Sequence, residues 1–286
     1  HEGFGLPIGG VMATAAGGVI SAGAVGMDIN CGVRLVATRI VAAELDLSIL
    51  RALINRIEEY VPTGVGRKGK HKGISREIFE EVVHAGSRRI IEYGCGWPED
   101  MIKTEEEGCL PGADLGAVSR EAYNRGSVQL GTLGGGNHFI ELQVVEEVYD
   151  QAAGKRFGLF PGLLTVMIHT GSRGFGHQIC TDFSKSLLPA ARKHGIEVPD
   201  RGLACAPVES REGRDYYAAM ACAVNFAFAN RQLITHDVRC AFSDIFKCNP
   251  ADLDLQLIYD VAHNIAKWET HQGQKVLVHR KGATRA

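Results

Sequence analysis

The chain has 286 residues, 45% of them hydrophobic, with 31 basic against 33 acidic side chains and a net charge of −2. That composition can bury a large core in one domain or two, and its near balance of charge gives no global electrostatic case for nucleic acid, so such a contact has to be local. No run of about 18 apolar residues occurs, which argues against a membrane-spanning helix; eight scattered cysteines without a C-x-x-C pair argue against a disulfide framework or zinc ribbon and for a reducing, cytoplasmic setting.

In chain order, glycine-divided apolar stretches predict short strands at 8–12 and 18–21 and a β-branched strand at 33–40. Leu47, Leu50, Leu53, Ile54 and Ile57 then fall at helical spacing, predicting an amphipathic helix over 46–60 that Asp46 can cap. Ser75 opens a second helix, 75–93, with Gly94 as its stop. Residues 94–113 carry four glycines' worth of breaks, prolines and the acidic run Glu105–Glu107, and read as a surface loop or lid. A short helix at 115–125 leads into Gly131-Thr132-Leu133-Gly134-Gly135-Gly136-Asn137. Strands follow at 139–149 and 163–168, helices at 173–193 and 211–242, and strands at 255–261 and 275–278. Strands and helices mix without a regular βαβ beat, a repeat or a G-x-G-x-x-G strand-to-helix turn. The fold class is α+β (mixed α/β), with central mixed β-sheets flanked by helices and no Rossmann sheet. The opening His1-Glu2-Gly3-Phe4-Gly5 and the closing Lys281-Gly282-Ala283-Thr284-Arg285-Ala286 do not read as natural termini, so residues 1–286 are expected to be a single catalytic domain fragment, truncated at both ends.

The chemistry concentrates at a few glycine-rich or strand-terminal places. Asp28 and Cys31 lie in Gly26-Met27-Asp28-Ile29-Asn30-Cys31-Gly32; His138 follows the glycine run; His169 and His263 close apolar stretches. A lone buried cysteine is usually an inert small hydrophobe, and a lone histidine a satisfied core residue or cap. A carboxylate in an apolar stretch needs a partner, however, and one Asp, one Cys and three His exceed what one tetrahedral ion requires. Together they predict a two-metal site bridged by a thiolate. The glycine run is either a tight turn or a cradle of backbone N–H groups for a phosphate, with His169-Thr170-Gly171-Ser172-Arg173 adding a second donor-rich turn and a guanidinium. The remaining histidines stay outside this set: His84 and His194 on helix faces, His177 and His236 inside helices, His71 in a basic loop, and His1, His271 and His279 unassigned. Two basic clusters, Arg67-Lys68-Gly69-Lys70-His71-Lys72 and His279-Arg280-Lys281 with Arg285, are the local candidates for nucleic-acid contact, and the first is either a solvated loop or a phosphate-backbone contact.

Six blocks, in order, resemble the RtcB family of RNA-splicing ligases: His1-Glu2-Gly3-Phe4-Gly5-Leu6-Pro7-Ile8-Gly9-Gly10, Val25-Gly26-Met27-Asp28-Ile29-Asn30-Cys31-Gly32, Leu133-Gly134-Gly135-Gly136-Asn137-His138-Phe139-Ile140-Glu141, Ile168-His169-Thr170-Gly171-Ser172-Arg173-Gly174, Asp260-Val261-Ala262-His263-Asn264 and Val278-His279-Arg280-Lys281-Gly282-Ala283-Thr284-Arg285-Ala286. The resemblance implies a GTP- and manganese-dependent ligase that joins an RNA 3′-phosphate or 2′,3′-cyclic phosphate to a 5′-hydroxyl, in tRNA splicing or RNA repair. Its substrates would be tRNA halves or cleaved RNA, and an activating protein partner could assist. It implies two Mn²⁺ ions bridged by Cys31, one completed by His169 and His263, the other by Asp28 and His138. Asn137, His138, Phe139, Ile140 and Glu141, with His263 and Asn264, would hold the guanine nucleotide, and Arg173 a phosphate of RNA or nucleotide. The family's guanylated histidine, in a His-Gly-Ala-Gly-type segment, is expected beyond Ala286, and a further Asp upstream of His1. Alternatives from the same residues are a dinuclear metal-dependent phosphoesterase using metal-bound water, and a non-catalytic relative that binds metal or RNA.

Overall fold

A computed structural model describes residues 5–68 and 74–285. In chain order they form β1 (Gly10–Ala15), β2 (Val19–Ser21), β3 (Gly32–Val41), α1 (Leu47–Tyr60), α2 (Arg76–Ala85), α3 (Ser87–Glu92), α4 (Glu99–Ile102), α5 (Arg120–Gly126), β4 (Phe139–Val144), α6 (Gln151–Phe157), β5 (Leu163–Thr170), α7 (Arg173–Lys193), β6 (Cys205–Pro207), α8 (Arg211–Phe246), β7 (Gln256–Ala262), β8 (Asn264–His271) and β9 (Gln274–Lys281). The α+β expectation holds. Where mixed sheets were expected, the strands of each sheet pair antiparallel: β4-β5-β3-β7, β1-β9-β8 and the ribbon β2-β6. Parallel pairing among the described residues is confined to isolated bridges such as Thr104 with Asp260. No described helix is long and apolar enough to cross a membrane.

Local chemistry explains the elements that matter for the site. Asp46 caps α1, its Oδ1 accepting from the N–H groups of Ser48 and Ile49 at 2.7 and 3.0 Å. The apolar run of β5 is buried almost throughout; its Leu164, Val166 and Ile168 pack against α8 and α1 through Leu53, Ile57, Ile234, Val238 and Phe242. A second apolar cluster forms where α8 meets α2 and α7, around Phe79, Phe175 and Phe226. At 36 residues α8 runs through both clusters, and its apolar residues wrap most of its circumference because it is surrounded.

Register then decides what meets. In the four-stranded sheet Gly32 lies opposite Thr170 and Ala262, and His169 lies opposite Val33 and Phe139. The start of β3, the end of β5, the end of β7 and the start of β4 therefore share one sheet edge.

Several expectations are corrected. The helix expected over 75–93 breaks at Gly86, whose φ of 57° and ψ of −134° are not helical and whose absent Cβ would sit 2.0 Å from the Gly108 carbonyl oxygen. The segment 94–113 is no lid. Asp100 is 1% exposed and pairs with Arg239 at 2.6 and 2.8 Å, Glu105 pairs with buried Lys267 at 2.5 Å, and the Asp260 N–H donates to the Lys103 carbonyl at 2.9 Å; Asp100 and Glu105 are drawn inward by cations from α8 and β8, while Glu99 and Glu107 stay exposed. The helix of 115–125 shortens to α5 behind a 3-10 turn, Leu115–Ala117. Helix α6 and strand β8 were not anticipated. The cluster His279-Arg280-Lys281 is not a basic surface, since β9 is the middle strand of its sheet and all three residues are buried, with Arg280 paired to Glu269. Of the other basic cluster, Arg67 and Lys68 are exposed; Gly69, Lys70, His71 and Lys72 lie outside the described residues, as do His1–Phe4 of the opening block.

Candidate metal centre

The shared sheet edge carries the five expected donors. Asp28 and Cys31 stand on the turn that feeds β3, His138 on the turn into β4, His169 near the end of β5, and His263 between β7 and β8. Cys31 Sγ lies 3.3 Å from Nε2 of His138 and 3.3 Å from Nε2 of His169. His138 Nε2 is 2.7 Å from Asp28 Oδ2, and His169 Nε2 is 3.4 Å from His263 Nε2. Two triads result, Cys31–His169–His263 and Asp28–Cys31–His138, each with its ligand atoms within 4.8 Å of one another and Cys31 common to both.

The chemistry of this donor set fits cations. His138 Nδ1 is 3.1 Å from the Leu133 carbonyl oxygen and His169 Nδ1 2.8 Å from that of Asn137. A carbonyl oxygen can only accept, so both Nδ1 atoms carry the proton, which leaves the Nε2 lone pairs aimed at Cys31. Lone pairs, sulfur and carboxylate oxygen at these separations need positive charge between them. Burial, with the Asp28 carboxylate alongside, pushes the Cys31 thiol far up, so a thiolate here requires a cationic partner. Burial, reinforced by His169, pulls His263 down to about 4, and burial lowers His169, so both rings stay neutral and able to ligate near pH 7. Burial opposes ionisation of Asp28, but a His138 that carries a second proton on Nε2, in place of a cation, holds that carboxyl below the usual range through its hydrogen bond and charge. The thiolate and three imidazoles suit borderline divalent ions such as Co²⁺ or Zn²⁺, and the carboxylate oxygens also admit the harder Mn²⁺.

The surrounding turns show why small residues stand where they do. Arg173, at φ 56°, opens α7 and donates Nε–H to Thr132 Oγ1 at 3.2 Å. A Cβ on Gly134 would lie 2.1 Å from Arg173 Nη1, and one on Gly171 would lie 2.6 Å from Asp28 Oδ1. The first half of the glycine run is a structural turn, not an anion cradle: the N–H groups of Gly131 and Thr132 donate to Asn230 Oδ1 and that of Leu133 to the Pro62 carbonyl.

Two cavities flank the donors and share Asp28 and Asn137 as a wall. One, of about 320 Å³, is bordered by His263, Asn264 and Lys281; the other, of about 570 Å³, by His138, Arg173, Arg125, Gln129 and His177. Not every expected nucleotide residue gathers there. Asn137, His138, His263 and Asn264 border the cavities, and the Phe139 ring packs edge-on to His169 with centroids 5.2 Å apart. Asn264 already bridges the Asp28 carbonyl and the Gly282 N–H. Ile140 and Glu141 line a separate groove against Ile54 and Ile57 of α1. Sequence reading passed over Arg125, Gln129 and His177. For His177 the spacing of four from Arg173 was available, since it puts both on one face of α7; Arg125 and Gln129 carried no comparable pattern.

Fold and site together define an α+β protein with a candidate two-cation centre on one sheet edge. A family profile described as tRNA-splicing ligase RtcB matches residues 1–286, and the chain belongs to that family. It is 48% identical over 291 residues to the tRNA-splicing ligase RtcB of Archaeoglobus fulgidus, covering all of this chain and 60% of that protein. It is 47% identical to that of Thermococcus kodakarensis, with the same coverage, and 47% identical to the RNA-splicing ligase RtcB of Mycobacterium tuberculosis, covering 66% of it. The chain thus spans about three-fifths of the length of the archaeal relatives it matches.

Proposed function

We propose that this chain carries the metal centre and part of the nucleotide site of a GTP- and Mn²⁺-dependent RNA ligase, joining 3′-phosphate or 2′,3′-cyclic phosphate ends to 5′-hydroxyl ends of tRNA halves or other cleaved RNA. The observation that carries the reading is the position of Cys31 Sγ, common to two donor triads. His169, His263 and Cys31 would hold one Mn²⁺, Asp28, His138 and Cys31 the other. When bound, the pair supplies Lewis-acid neutralisation of phosphate charge during nucleotidyl and RNA transfer.

The chain's own residues orient the reactants. Leu133 and Asn137 fix the His138 and His169 rings through their carbonyls. Arg173, tied to Thr132, presents a guanidinium beside the His138 side of the centre, where a phosphate oxygen of RNA or nucleotide would meet it. Asn137, His138 and Phe139, with His263 and Asn264, would border the guanine nucleotide, and Ile140 and Glu141 would reach it only from the α1 side. The guanylated histidine is placed in this reading outside residues 1–286, and an activating protein remains part of it.

Equilibrium dialysis with Mn²⁺ and radiolabelled GTP tests the proposal. Two ions per chain and GTP retention that requires Mn²⁺ are expected. Mn²⁺-dependent turnover of a phosphoester without nucleotide would favour a dinuclear phosphoesterase, and metal binding without nucleotide retention a non-catalytic relative.

A further inference from the structure

Arg231, in the middle of α8, is fully buried, yet its guanidinium touches none of the five donors. It touches the chain on either side of them. Nη1 donates to the Asn30 carbonyl at 2.7 Å and to the Thr170 carbonyl at 3.0 Å; Nη2 lies 3.3 Å from Asn30 Oδ1, and Nε donates to Asp260 at 2.9 Å. Asn30 immediately precedes Cys31, Thr170 immediately follows His169, and Asp260 stands three residues before His263. One rigid planar cation therefore joins the three backbone segments that present the Cys31–His169–His263 triad.

The chain is shaped around this contact. Asn30 adopts a left-handed φ of 53°, and its amide also donates to the Val224 carbonyl of α8 at 2.7 Å. Gly32 has no room for a Cβ, which would lie 3.1 Å from Arg231 Cζ and 2.5 Å from the Val261 carbonyl oxygen. The Cys31 carbonyl accepts from the His263 N–H at 2.9 Å, so a shift of the Asn30–Cys31 turn is transmitted to His263 directly. We propose that Arg231 is a positioning residue that sets the spacing of the Cys31, His169 and His263 turns, and thereby the affinity of that triad for its cation. This rests on the metal-centre reading above.

The molecule contains its own control. Arg34 is equally buried and binds the same carboxylate, Nε to Asp260 Oδ2 at 2.7 Å. Its other donors go to Gln232 at 2.8 Å and Thr235 at 3.0 Å, away from the donor-bearing turns. Lysine at either position keeps a positive charge near Asp260 but cannot make the forked contacts of a guanidinium.

The test is Co²⁺ titration of this chain, read by ion stoichiometry and by the near-ultraviolet thiolate-to-cobalt band, beside denaturation midpoints. Arg231→Lys is expected to weaken the ion at the Cys31–His169–His263 triad by about tenfold or more, in line with the effect of residues that support metal ligands. Arg34→Lys should lower the denaturation midpoint to a similar extent while leaving cobalt affinity within about twofold of the unaltered chain. Equal weakening by both variants, or an Arg231→Lys chain that binds cobalt normally, overturns the inference. If Arg231→Lys does not fold, Asn30→Gly replaces it: glycine accepts the left-handed φ but drops the side-chain tether, and undiminished affinity there is equally fatal. An unaltered chain with no thiolate band defeats the metal reading itself, a result distinct from any difference among the variants.

Discussion

Replacing Cys31 by alanine removes the one atom that both triads have in common, whereas replacing His263 leaves Asp28, Cys31 and His138 complete. The expected ion counts after dialysis are therefore two for the unaltered chain, one for His263→Ala and none for Cys31→Ala. The thermal consequence follows from linkage. A cation at 100 times its dissociation constant stabilises the folded state by about 2.7 kcal/mol, so two independent ions contribute roughly 5 kcal/mol. At about 2 °C per kcal/mol for a chain of this size, excess metal should raise the melting temperature of the unaltered chain by roughly 10 °C over its chelated form. His263→Ala should show about half that rise and Cys31→Ala none. Scanning calorimetry with and without chelator, paired with elemental analysis, measures both quantities. Undiminished occupancy in Cys31→Ala would refute the shared-sulfur arrangement.

Two further outcomes follow from other parts of the structure. Gly171→Ala would bring a methyl to 2.6 Å from Asp28 Oδ1; because the obstacle is a side chain that can swing, the fold should persist while the ion held by Asp28 and His138 is lost, and elemental analysis showing both ions retained would contradict this. His279 is buried in β9, accepting from the Ser21 N–H and facing the Met12 carbonyl, and burial takes its pKa from 6.5 down to about 4 despite the Met12 contact. The unfolded chain binds that proton first as pH falls, so the contribution is intact above about pH 6.5 and is lost on the way to pH 4, with about 2 kcal/mol gone at pH 5. Urea midpoints at pH 7.5 and 5 should show this, and His279→Gln should remove that part of the slope; an unchanged slope would exclude His279 as its source.

What could be read from the sequence was what local chemistry decides. The Asp46 cap, the both-sides-buried strand ending near His169 and the helix opening at Arg173 each depend on neighbours a few residues away. The convergence of Asp28, Cys31, His138, His169 and His263 was also legible, because a carboxylate in an apolar stretch and glycines beside histidines are costly unless something uses them. Long-range pairing was hidden. Glu105, in an acidic run, and Asp100 fell in a segment that read as surface loop, yet their cations, Lys267 and Arg239, lie more than a hundred residues downstream. For the same reason β8 was missed: Lys267 and Glu269 are buried in it only because Glu105 and Arg280 reach them. The glycine run was ambiguous because the acceptors of its first three N–H groups, Asn230 for Gly131 and Thr132 and the Pro62 carbonyl for Leu133, lie far away in the chain.

Asp28 and Asn137 form a partition with open space on either side. On the proposed reading, nucleotide and RNA would reach the same cluster of donors through separate doorways, and neither would have to depart before the other arrives. Order of loading would then be a question of relative affinity, and a mutation that blocks one doorway should leave traffic through the other intact.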